Sequence, residues 1–343
     1  MEIAKRLLLI MVMLVPQVLS ANSDAASVPD GIMWRISGNG LERPSYVLGT
    51  VHTLHRDIIR HIPEITLYLD SVEALVLESD ILKRDWMSDM EKIRASIPEE
   101  ASDFAERMGK DFSHKGKKNP YNKYLSKEQR DSLDVMMEYL MGDTSYKNLN
   151  PGITCFLLYH SFMEKRREIR ERLGYDTQAG GRSLDAELEK FFLQKNEKLR
   201  MNSEGDTLQV LGLDSVRMFQ YAVENALLFP DYRMTSADMA QSIYERVTGL
   251  TKRIEQIEVE DSLYRKGKGY DILQSQSLYY DTKANDVFKV EERNRYWMSK
   301  LPAIIEDGPA FIAVGLSHVL PTQWSEGILS ELMKLGYDVT PIH

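Results

Sequence analysis

A single cysteine in 343 residues, Cys155, excludes an internal disulfide. It sits in the apolar helical run Ile153 to Leu158, where a thiol is an inert core group and not a nucleophile. Stability must therefore come from packing. Long apolar runs are also missing, since no stretch after the first twenty residues approaches the ~18 apolar residues that cross a bilayer. Positive charge is in deficit, with 43 Lys and Arg against 52 Asp and Glu and a formal net charge of −9. That sign disfavours nucleic acid and anionic lipid as partners. The length is enough for one substantial core or two smaller ones.

What the chain does have begins at its amino end. Lys5 and Arg6 precede the apolar run Leu7 to Val15, and Val18-Leu19-Ser20 lead into Ala21, the order of a secretory signal. Residues 1 to 20 are expected to be cleaved, leaving residues 21 to 343 as one domain, secreted or periplasmic, with no stable membrane insertion. No cysteine stands there to carry a lipid. Because Glu2, Lys5 and Arg6 leave with the signal, the mature net charge becomes −10.

The pattern has two β-containing ends around a helical middle. Ile32 to Ile36 and Tyr46 to Leu48 flank the turn-rich Ser37-Gly38-Asn39-Gly40, a hairpin signal, and a helix over Pro63 to Leu69 leads to a strand at Ala74 to Leu77. From about 86 to 288 the periodicity is helical, an insertion or cap. Ser126 with Gln129 forms a capping box for Lys127 to Met141, Pro151 opens a helix that Gly174 closes, and Leu184 to Leu199 is a third. Basic, polar Gly109 to Lys123 reads as an exposed loop, and Leu208 to Leu213 as a return to the sheet. A helix over Val290 to Leu301, a strand at Ala310 to Val314, a helix near Ser325 to Leu335 and a strand at Tyr337 to Val339 complete an α/β (α+β) fold.

Gly-x-x-His occurs twice, at Gly49 to His52 and Gly315 to His318, each time at the end of an apolar strand. With 20 glycines and 7 histidines chance supplies roughly 0.4 such matches, so the repetition at like positions carries the information. Glycine lets the chain turn where the sheet stops, and the histidine then looks across the carboxyl edge, where open α/β sheets place their ligands. Glu78 follows its strand in the same way. Taken singly, either histidine reads equally well as a satisfied structural group. His55 and His61 read as surface or supporting groups, His160 as core, and His114 and His343 as solvated.

The blocks Tyr46-Val47-Leu48-Gly49-Thr50-Val51-His52, Leu75-Val76-Leu77-Glu78, Glu292-Arg293-Asn294 with Trp297-Met298, and Phe311 to Pro321 resemble the TraB/GumN-like family, whose animal relatives are the TIKI metalloproteases. The resemblance implies an exported metal-dependent hydrolase of peptide or amide bonds, acting on a peptide or protein. It assigns His52, Glu78 and His318 to a divalent metal (zinc, manganese or cobalt), and Glu78 and Arg293 to catalysis. Two points depart from the family: a Gly-Leu-Glu strand end is here Gly212-Leu213-Asp214, which puts specificity in question if that position contacts substrate, and the small residue after the second motif is Thr322.

Two imidazoles and a carboxylate suffice for a catalytic zinc with an open position for water. Glu78 is then either ligand or general base. If it is a ligand, Asp80 or an acid from the helical part takes the proton. Arg293 donates to the developing oxyanion, so Arg293→Ala is expected to lower kcat about 10² to 10³-fold while leaving folding nearly intact. The alternative is a secreted binding or accessory protein, concerned with peptide or polysaccharide, that keeps the fold without catalysis.

Overall fold

The structure is a computed structural model that describes residues 27–79, 100–177, 183–200, 209–215, 234–277 and 289–343. The expected signal at residues 1 to 20, and the expected limits of the helical insertion at 86 and 288, lie outside these residues. So does Asp80.

Six strands form one mixed sheet: β1 (Met33–Gly38), β2 (Ser45–Thr50), β3 (Ala74–Leu77), β4 (Gln209–Gly212), β5 (Ala310–Gly315) and β6 (Tyr337–Pro341). Their order is β4-β3-β5-β2-β1-β6. The first four in that order are parallel, with Leu77 level with both Gly212 and Ala313, and Thr50 level with Gly315. β1 then runs antiparallel to both β2 and β6. All six residues of β2 and all six of β5 are buried, which explains the apolar runs Tyr46 to Leu48 and Ala310 to Val314, because a strand covered on both faces has no reason to alternate. At the edge, β6 does alternate.

Twelve α-helices lie among the described residues, in chain order α1 (Pro63–Leu69), α2 (Glu100–Phe112), α3 (Pro120–Tyr124), α4 (Lys127–Met141), α5 (Pro151–Arg172), α6 (Leu184–Arg200), α7 (Ser236–Arg265), α8 (Gly269–Ser277), α9 (Val290–Met298), α10 (Leu301–Asp307), α11 (Leu316–Val319) and α12 (Ile328–Lys334). The chain leaves the sheet after β3, returns for β4, and leaves again before β5. Buried side chains fall into two clusters: one around the sheet, with Trp34, Phe311 and Trp297, and one among α2 to α5 and α7, with Phe112, Tyr146 and Ile254.

Local signals place many ends. Ser126 and Gln129 make the capping box of α4, and Gly142 in the left-handed region (φ 81°) ends it. Helix Val290 to Leu301 divides at Ser299, because Pro302 has no N–H to continue it and instead sits in the first turn of α10.

Two expectations fail. Gly109 to Lys123 is not a loop but the end of α2, a short 3-10 turn and α3. Its lysines face water while Phe112 and Tyr121 meet edge to face at 4.9 Å, and Asn119 ties the turn to the carbonyls of Phe112, His114 and Lys147. His160 is exposed, because the apolar stripe of α5 on which it was placed, with Ile153 and Phe156, faces outward.

Candidate active site

Parallel strands end at one edge, and each of four ends delivers a polar side chain there. His52 follows β2, Glu78 follows β3, Asp214 follows β4, and His318 rides on α11, which starts directly from β5. The glycines of the two motifs serve space more than turning. Neither has positive φ. A Cβ at Gly49 would collide with Leu316, and one at Gly315 would stand 3.0 Å from Glu78 Oε1.

Arg293, on α9, is the hub. Its Nη2 donates to Glu78 Oε2 at 2.5 Å and to Asp214 Oδ2 at 3.0 Å, Nε donates to Asp214 Oδ1 at 3.1 Å, and Nη1 lies 3.2 Å from His318 Nε2. The guanidinium also stacks over Trp297 at 4.6 Å, and the indole N–H of Trp297 donates to Asp214 Oδ1 at 3.0 Å. Asp214 is thus a fixed partner of Arg293. Its side chain is 3% exposed, so it faces Arg293 and does not line the cavity.

The protonation of His318 follows from its neighbours. A guanidinium only donates, so Nε2 must accept from Arg293 and Nδ1 must carry the hydrogen that goes to Asn294 Oδ1 at 2.7 Å. Asn294 agrees: its amide nitrogen already donates to His318 O and Ser325 Oγ, which leaves Oδ1 as the acceptor. Burial first, with Arg293 and His52 adding to it against the pull of Glu78, lowers His318 to about 3. It is a neutral imidazole.

Glu78 is held in the opposite state. Burial alone pushes its carboxyl up, but Arg293, His318, His52 and the Gly315 N–H, 2.7 Å from Oε1, together hold it well below the usual carboxylate range. Burial likewise works against the charge of Arg293, and Glu78 and Asp214 more than restore it.

Asp185, in the first turn of α6, escaped the sequence reading. An acid in the first turn of a helix is commonplace, so nothing singled it out. Burial, aided by the charge of Glu78, raises it to about 6 against the pull of His52 and the Thr50 hydroxyl, and its Oδ1 is buried without a hydrogen bond. It is an acid from the helical part directed at the sheet edge.

His52 is exposed, on a loop gripped by the helices. Arg166 and Arg170 of α5 donate to the carbonyls of His52, Thr53 and Leu54, Thr53 Oγ1 bonds Glu260 of α7, and Tyr264 donates to Gly49 O at 2.8 Å. His52, Glu78, Arg293 and His318 line one cavity of about 590 Å³, the size of small-molecule sites. A more open groove of about 1360 Å³ shares Tyr270 and Pro321 to Trp324 with it, but its charges pair with one another at the surface, as Arg295 does with Glu291. His55 is buried, accepts from the Asp57 N–H, and is lowered to about 4 by burial and Arg170. His61 meets Tyr175 edge to face. Neither lines the cavity.

The donors answer in two parts whether a divalent ion fits. Their chemistry suits one: an ionised carboxylate and a neutral imidazole whose Nε2 carries the lone pair, oriented by an amide oxygen on its other nitrogen. The spacing does not, because Arg293 already occupies Glu78 Oε2 and faces His318 Nε2. Among the described residues no three His, Cys, Asp or Glu groups converge on one point.

A parallel sheet whose ends bring Glu78, His52 and His318 into one cavity, where Arg293 of α9 joins them, defines an α/β protein with a carboxyl-edge site. The chain belongs to the TraB/PrgY/gumN family, whose model matches residues 32–341. No curated protein and no solved structure matches it.

Proposed function

We propose that this protein is an exported hydrolase of peptide or amide bonds that works with a divalent ion. One observation supports the reading above others: strand ends far apart in sequence bring Glu78, His318 and His52 to a single cavity, with Arg293 among them. His52, Glu78 and His318 would hold the ion, and for all three to reach it Arg293 must release Glu78 while Asp214 retains it. A divalent ion held there would supply Lewis acidity toward a carbonyl and toward a water.

The remaining work belongs to side chains. Arg293 meets the negative charge that develops on the carbonyl oxygen. Glu78 is a poor base, since a carboxylate held ionised so far below neutrality has little affinity for a proton. Asp185, near 6, is better matched to neutral pH. It does not line the cavity, so it would act on the site from behind, where the charges of His52 and Glu78 reach it. Asn294 keeps His318 in the Nδ1–H tautomer.

A second reading, a secreted binding protein with no resident metal, is favoured by Arg293 itself, a cation already seated between Glu78, Asp214 and His318. One preparation separates the two. Protein collected from outside the cytoplasm, without chelator or metal-affinity tag, should begin near Ala21, carry a stoichiometric transition metal and release amines from a mixed peptide library. Absence of metal after reconstitution, together with absence of cleavage, would establish the second reading instead.

A further inference from the structure

Charge is distributed unevenly along the cavity. At its inner end Arg293 is matched by two carboxylates, Glu78 and Asp214. Arg253 of α7 lines the same cavity. Its guanidinium rests 5.8 Å from the ring of Phe162 and has neither a hydrogen bond nor an ion pair among the described residues. Nearby, among the described residues, Arg166 and Arg170 bond neutral backbone carbonyls of His52, Thr53 and Leu54, which leave their charge in place. Glu260 is the acid that acts on Arg253 and Arg166, and its carboxylate bonds Thr53 and Gln276. Arg253 and Arg166 thus share the one carboxylate of Glu260, with Arg170 next to Arg166, in a chain whose net charge is −9.

Arginines so close repel. Burial, then Arg253, lowers Arg166 to about 10, and burial, then Arg166, lowers Arg170 to about 9. Such a concentration of like charge is unfavourable in the empty cavity and is relieved when an anion enters. Carboxylate geometry matches the open fork of Arg253.

We infer that Arg253 is a specificity residue that anchors a carboxylate of the peptide, at its carboxyl terminus or on an acidic side chain, in the cavity that Glu78 and Arg293 also line. The inference rests on the hydrolase reading for its choice of a peptide. Gln276 of α8 lines the cavity as well and bonds the Glu260 carboxylate.

The test uses three N-acetylated tetrapeptides: tetra-alanine with a free carboxyl, the same peptide as its amide, and an amide with one alanine replaced by glutamate. Binding is read by calorimetry, and KM wherever a peptide is cleaved. The wild type should bind at least one carboxylate form about tenfold or more tightly than the uncharged amide, and which form it is identifies the source of the carboxylate. Arg253→Gln should erase the difference, Arg253→Lys should keep part of it, and Lys252→Gln, which removes the same charge from an exposed neighbour, should leave it intact. Equal affinity for all three peptides, no binding of any, or an Arg253→Gln variant no weaker than Lys252→Gln would overturn the inference. Discrimination without cleavage would keep it and sink the hydrolase reading; cleavage with equal KM would do the reverse.

Discussion

Arg293 and Arg295 stand two positions apart on α9 and live in different solvents. Arg295 pairs with Glu291 at 2.8 Å, but both side chains are largely exposed, and such a pair is worth a few tenths of a kcal/mol. Arginine 293 is 12% exposed and holds two buried carboxylates. The expectation that Arg293→Ala would leave folding nearly intact does not survive this geometry, because truncation strands Glu78 and Asp214 as unpaired buried charges, a loss of about 3–5 kcal/mol. Arg293→Lys is the cleaner probe. It keeps the charge but gives up the planar fork that spans Asp214, Glu78 and His318. Thermal melts should show Arg293→Lys far closer to the wild type than Arg293→Ala, while hydrolysis falls about 10²-fold. Arg295→Ala should match the wild type in both measurements. A fully active Arg293→Lys would remove the fork from the mechanism.

At the scale of elements, β2 and α11 meet so closely that each motif shapes the other. Gly49 has no room for a methyl group because Leu316, the first residue of α11, fills the space, and Leu316 is itself 1% exposed. Gly49→Ala should cost about 1–3 kcal/mol by overpacking, and Leu316→Ala about 2–5 kcal/mol by leaving a cavity. Because the two changes act on one space, denaturant unfolding should find the double variant more stable than additivity allows, by on the order of 1 kcal/mol. Strict additivity would mean that the two motifs do not bear on each other.

This contact also marks what the sequence could reveal. The apolar runs of β2, β3 and β5, each closed by the residues that enter the site, were readable because strands buried on both faces are apolar throughout. The capping box at Ser126 and the break at Pro302 were readable because their causes are local. Not readable was which ends become neighbours. Asp214 as the partner of Arg293, Asn294 as the orienter of His318, and Asp185 beside the site depend on contacts across large stretches of chain, and each is an ordinary residue in an ordinary helix or strand end. The turn at Gly109 to Lys123 was misread because its lysines outnumber the two aromatic rings that hold it.

For the whole molecule, the helical part and the sheet are joined at the site and not merely stacked. Tyr264, Arg166 and Arg170 hold the His52 loop from the helical side, and α6 sends Asp185 to the sheet edge. Stability and function should therefore pull against each other at Asp185. An aspartate raised to about 6 from 3.8 binds its proton more tightly in the folded chain than in the unfolded one. Its favourable contribution is thus complete below about pH 3.8 and is lost as pH rises through about 6. Above that, the folded protein carries an ionised buried carboxylate. Asp185→Asn fixes the neutral form, so in metal-free protein its stability relative to the wild type should rise between pH 4 and pH 7 and then level off. The gain should be at most ~3 kcal/mol, from two pKa units at about 1.4 kcal/mol each. Glu78 titrates in both proteins on the far acid side, so their difference isolates Asp185 in this window. The same variant should lose the alkaline-side activity that depends on an ionised group near 6. Melting temperatures across pH, set beside pH–rate profiles, check both halves. An Asp185→Asn protein that melts like the wild type at every pH would show that the carboxylate is already solvated, and with that its fitness to hold a proton for the site would go.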